Sequence, residues 1–127
     1  MKIRIQGNSL RLRVSRSELA HFQAGGRVEE TIRFAEAPEA KLTYALESAV
    51  QLSPVRVRYG FHEVTIILSR DQARVLGAES EVGVYSNLDI GSAGSLDVIV
   101  EKDFACLDRR DEQNQDTFAN PHAGGIC

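Results

Sequence analysis

The chain has 127 residues, 43% of them hydrophobic and 26% charged, with no tryptophan and a formal charge of −3. That is the size and composition of one ordinary globular domain, able to bury a core without help from a disulfide or metal. No run of about 18 apolar residues occurs, which excludes a membrane-spanning helix, and the start MKIRIQGNSLRLRV lacks the continuous apolar segment of a secretory signal. The expected location is the cytoplasm, where Cys106 and Cys127 are thiols or metal ligands rather than a bridge.

Charge is uneven along the chain. Residues 1–34 hold seven basic residues against three acids, and residues 101–127 hold six acids against three basic residues. Such asymmetry marks either a basic binding surface beside an acidic tail or two solvated faces.

The first elements are a short strand around Ile3 and Ile5, a glycine-containing turn QGNS, and an alternating strand. In that second strand Leu10, Leu12 and Val14 point one way, and Arg11 and Arg13 the other. SRSE at 15–18 then matches the S-x-x-E/Q capping box and starts a short helix that stops near Gly25 and Gly26. Leu19 and Phe22 are its buried side. Strands over 27–34 and 41–48 complete a ββαββ unit, and SAVQLSP (48–54) is a surface linker.

The same order then recurs. At a shift of 54 residues, 3–32 lies on 57–86 without a gap, and 41–47 lies on 95–101. Val57 and Tyr59 form a strand, YGFHE a turn, and Val64, Ile66 and Leu68 the buried side of the next strand. SRDQ (69–72) is a second capping box at the matching place, and its helix, burying Ala73 and Leu76, ends near Gly77. Strands 81–88 and 95–102 close the second unit. Identical positions are few: Arg4/Arg58, Ser15/Ser69, Arg16/Arg70, Ala24/Ala78, Val28/Val82, Leu42/Leu96 and Glu47/Glu101. The predicted fold is therefore α+β and β-rich. A duplicated domain over 1–102 (repeats 3–47 and 57–101) packs about a pseudo-twofold axis into one compact, barrel-like body, and a polar, irregular tail follows over 103–127. In that tail Phe104, Leu107 and Phe118 are the residues able to pin it to the body.

GNSLRLRVSRSEL followed by GGRVE resembles the start of swapped-hairpin DNA-binding domains of the AbrB and MazE antitoxin type. The resemblance covers 3–33, with a fainter echo at 57–86. It implies that a duplicated chain imitates that family's interlocked dimer. The chain departs from the pattern in having Ser15 where the family has proline, GFHE in the second copy, and an extra closing strand in each copy. From KIRIQGNSLRLR to EKDFACLD and FANP, the chain also resembles a family of small bacterial proteins of unknown function, which implies no activity.

Three functions remain open. The first is a non-enzymatic binding or regulatory module of unknown ligand, a monomer or homodimer with a protein partner. No nucleophile elbow, P-loop or zinc-protease motif occurs, adjacent Glu29 and Glu30 face opposite sides of a strand, and no cofactor is implied. His21 reads as helix surface. The second is a DNA-binding regulator using Arg4, Arg11, Arg13 and Arg16, although Arg11 and Arg13 are replaced by Thr65 and Ile67 in the second copy. The third is a zinc- or redox-responsive protein using Cys106, His122 and Cys127, one ligand short of a closed zinc site unless Asp108 or His21 joins them.

Overall fold

The computed structural model describes residues 1–104 and 116–119. The strands and helices follow the predicted order: β1 (Lys2–Ile5), β2 (Ser9–Val14), α1 (Arg16–Gln23), β3 (Val28–Arg33), β4 (Lys41–Ala49), β5 (Val55–Gly60), β6 (Glu63–Ser69), α2 (Arg70–Gly77), β7 (Gly83–Asp89) and β8 (Ser95–Lys102). Both helices begin where the serines cap them. In α1 the box is complete: the Glu18 amide donates to Ser15 Oγ (3.3 Å) and the Ser15 amide donates to Glu18 Oε1 (2.9 Å). In α2 the Gln72 amide donates to Ser69 Oγ at 3.2 Å. A capping serine of this kind stabilises a helix by about 1 kcal/mol, which matters for helices of eight residues each.

Two four-stranded sheets form, in the orders β1-β2-β8-β7 and β3-β4-β6-β5. The expected barrel-like body is corrected here. The sheets do not close on each other, and β1, β7, β3 and β5 remain edges. Each sheet takes two strands from each half of the chain. The central pairs, β2 with β8 and β4 with β6, are parallel, and the outer pairs are antiparallel hairpins.

The registers of the two sheets correspond. Ser9 opposes Asp97, and 54 residues along or back, Glu63 opposes Thr43. Lys2 opposes Arg13, and Arg56 opposes Ile67. The gapless match fails at β3 and β7. Val28 opposes Leu46, but Val84, not Val82, opposes Val100. The segment before β7 is longer, and the hairpin after it is shorter (90–94 against 34–40), so the slip is two residues. A two-residue slip keeps every side chain on its own face.

All four hairpins lie at one end of the body and both helices at the other. The inner faces of the sheets share one core with the helices. Leu12, Val14, Val98, Val100 and Val84 come from one sheet, Leu46, Ile66, Leu68, Val55 and Val28 from the other, with Phe22 and Leu76 below. Past β8, Phe104 bridges to Phe118, their rings 5.9 Å apart, and Phe118 packs on the core. Lys102, 6% exposed, runs under that ring and donates to the carbonyls of Ala78 (2.7 Å) and Glu81 (2.8 Å) just past α2.

Candidate functional site

An open cleft of about 310 Å³ lies between α1 and the start of β3, lined by Ser17, Glu18, His21, Arg27, Val28 and Glu29. Helical spacing puts Ser17, Glu18 and His21 on one side of α1, away from buried Leu19 and Phe22. Gly25, at φ +89°, takes the left-handed conformation that ends the helix. Gly26 then passes so close to the His21 ring that a Cβ there would lie 2.3 Å from Nε2. This tight reversal delivers Arg27 beside His21.

Arg27 lies across the outer face of the second sheet. Its guanidinium donates to Glu47 Oε2 (2.9 Å) and to Glu63, and reaches Glu29 Oε2 at 3.4 Å. Thr65, fully buried beneath it, donates to Glu63 Oε1 at 3.0 Å, and Arg58 donates to Glu47 Oε1 at 3.1 Å. Burial pulls the Arg27 pKa down, but the bonds to Glu47 and Glu63 outweigh it and hold it above its ordinary value. The Arg27 and Thr65 hydrogen bonds hold Glu63 below the usual carboxylate range.

At the cleft's other wall, burial raises Glu18, but the Met1 ammonium and the Ser15 amide together bring it below its ordinary value. Ser17 donates through its amide (3.3 Å) and its hydroxyl to Asp116, which the Ser17 and Ser15 hydroxyls hold low. The cleft thus offers several carboxylate acceptors around one guanidinium that is already surrounded. No group of three or more His, Cys, Asp or Glu side chains among the described residues is arranged to hold a metal ion.

The structure brings three of the four predicted arginines together. Arg4, Arg11 and Arg13 share the outer face of the first sheet, with Arg4 directly opposite Arg11 and Lys2 opposite Arg13. Like charges facing each other across strands destabilise a sheet, and Glu101 on β8 offsets this. Arg13 Nε donates to it at 2.9 Å, and Arg11 Nε lies 3.4 Å from the same oxygen, buried and without a hydrogen bond. Lys2 pairs with Asp103 (2.7 Å) and Arg4 with Gln6 (3.0 Å). Arg16 stands apart, exposed in the first turn of α1. Glu101 and its matched residue Glu47 each hold two arginines, though from different strands. That repeated glutamate was the signal in the sequence for the Arg27 network. Cys106, Asp108, His122 and Cys127 lie outside the described residues.

A family model described as "Family of unknown function (DUF7009)" matches residues 1–122. No curated protein and no solved structure matches the chain, so the AbrB and MazE resemblance rests on its residues alone.

Proposed function

We propose, for a chain that belongs to the family of unknown function DUF7009, a non-enzymatic binding module whose recognition site is the cleft between α1 and β3. The ligand class is small, polar and cationic: an amine or guanidinium group on a metabolite or peptide. One observation carries this. The cation of the cleft, Arg27, is already ringed by Glu29, Glu47 and Glu63, so an incoming anion meets a saturated guanidinium among carboxylates. An incoming cation meets Glu29, 56% exposed and held by Arg27 only at 3.4 Å, with Glu18, already paired with the Met1 ammonium, and the Ser17 oxygen beside it. A hydrolytic role finds little support. Ser17 is bonded to Asp116 rather than to His21, and a carboxylate held low is a weak proton acceptor.

We also propose that the two ββαββ halves arose by internal duplication and that only the first half kept the site. The matched registers support the duplication. For the site, the positions equivalent to Ser17, Glu18 and His21 are Asp71, Gln72 and Val75, and across the two-residue slip Glu29 corresponds to Tyr85. The DNA-binding alternative has less charge to work with than its basic residues suggest, since one glutamate, Glu101, serves both Arg11 and Arg13 and Asp103 pairs Lys2, which leaves Arg4 and one arginine charge without a carboxylate. The zinc- or redox-responsive alternative rests on Cys106, His122 and Cys127.

Putrescine and arginine methyl ester, titrated into labelled protein with citrate as the control, test the reading by amide shift changes. Saturable changes confined to residues around 17–29, weakened by Glu29→Gln, are the expected result. Saturation by citrate alone, or by none of the three, sinks it.

A further inference from the structure

Six of the eleven exposed large hydrophobic residues among the described ones gather at the hairpin end of the body; the other five, Val50, Leu52, Val75, Val82 and Tyr85, lie elsewhere. Ile5 is 60% exposed, Ile32 47%, Phe34 66%, Tyr59 72%, Phe61 99% and Ile90 41%. All six lie in the hairpin turns or within two residues of one. They are not scattered. The matched registers make Ile5 the counterpart of Tyr59, and Phe34 the counterpart of Ile90 across the two-residue slip. Ahead of the edge strand β1, the Met1 ammonium reaches Glu30 of β3 (3.4 Å) and the Tyr44 hydroxyl of β4 donates to the Met1 carbonyl (3.3 Å), and on the other side β5 lies beside β7. The apolar residues therefore rim both open edges of the sandwich about its pseudo-twofold axis.

The backbone adds a second observation. The β5–β6 turn consists of Phe61 and His62, at φ +54° and +61°. Such a turn favours Asn-Gly, and bulky side chains rarely accept the left-handed region. A phenylalanine held there, almost wholly exposed, gives the isolated chain nothing. Strain of this kind clusters at sites where a ligand or partner binds.

We infer that the hairpin end is the interface of a homodimer, with a second copy of this chain as its occupant. Three properties favour a second copy. The exposed surface of these residues is about 750 Å² per copy at roughly 200 Å² for each large residue, so a pair that covered all of it would bury at most about 1,500 Å², within the range of a specific interface. A twofold interface requires a patch complementary to itself, and this one is already balanced about an internal axis. Its charge is also neutral. Within three residues of the turns stand Arg4, Arg11, Arg33, Lys41 and Arg58 against Glu36, Glu39, Glu63, Asp89 and Asp97, so two copies do not repel.

Phe61→Asn separates this from a packing role, because asparagine tolerates the left-handed turn that strains phenylalanine. Sedimentation over a concentration series, with melting measured on dilute protein, reads both effects. Wild type is expected to dimerise, and Phe61→Asn to weaken association at least about tenfold while raising the dilute Tm by about 4 °C. Phe34→Ser is expected to weaken association without the gain in Tm. A wild type that stays monomeric throughout overturns the inference, as does a dimer unaffected by both variants. Hydrogen exchange showing the hairpin end protected in a monomer overturns it too, by placing the chain itself over the patch. None of these outcomes bears on the cleft, whose titration reads residues at the other end of the body.

Discussion

Arg27→Met keeps most of the side chain's length and removes its charge, leaving Glu47, Glu63 and Glu29 facing one another. Two ion pairs are close and one is long, at 3.4 Å. Glu47 and Glu63 are about a third exposed (27% and 35%), so each pair is screened by solvent and contributes about 0.3–1 kcal/mol rather than a buried pair's larger figure. Arg58 continues to hold Glu47. The expected loss at pH 7 is about 1.5–2 kcal/mol, or roughly 6 °C in Tm for a chain of this size. The pH dependence identifies the cause. Glu63 has its folded pKa below the ordinary value of 4.5, so its stabilising contribution is full above that value and disappears as pH falls through the folded pKa. The gap between wild type and Arg27→Met is therefore widest at neutral pH and closes in acid. Thermal melts of both proteins at pH 7 and near pH 3 measure it. A gap that is unchanged or wider in acid refutes the charge argument and points to lost packing of the arginine stem.

Lys102→Met removes two charge-assisted bonds. Ala78 O keeps the Glu81 amide, but Glu81 O is left to find water. Relief of the buried charge offsets part of the loss, and the expected net cost is about 2 kcal/mol by urea denaturation; a variant as stable as wild type contradicts it. For the basic face, where Glu101 and Asp103 offset two of the four charges of Lys2, Arg4, Arg11 and Arg13, the wild type is expected to give at most a weak shift of duplex DNA at low ionic strength, lost at physiological salt. Retardation at physiological salt that Arg11→Ala and Arg13→Ala abolish would restore the DNA-binding reading.

The elements were legible because their signals are local. Alternation marks the buried side of β2 and the core side of β6, where Thr65 and Ile67 on the opposite face are buried as well, and a serine three residues before Glu18 or Gln72 marks a helix start. Partnership was not legible. Alternation says that a strand has a buried face, not which strand lies beside it, so the exchange of strand pairs between halves stayed hidden. The two-residue slip at β7 was hidden for a related reason, since it preserves the alternation. The cleft escaped because Arg27 reads as the first residue of a strand, while Glu47 and Glu63 are 20 and 36 residues away. Lys102 escaped because lysine is ordinarily exposed. Its burial follows from the end of α2 arriving beside β8.

The exchange of strand pairs sets the order in which this chain can fold as it is made. The sheet containing β3, β4, β5 and β6 is complete once residue 69 has emerged. The other sheet joins Ser9 to Asp97, 88 residues apart, so β1 and β2 wait as a two-stranded hairpin until β8 has been made. During that interval the edge of β2 that later pairs with β8 stands unpaired. Of the two sheets, the one that holds β1 and β2 is thus the later to be secured, and the waiting hairpin keeps an unpaired strand edge open to association until β8 arrives.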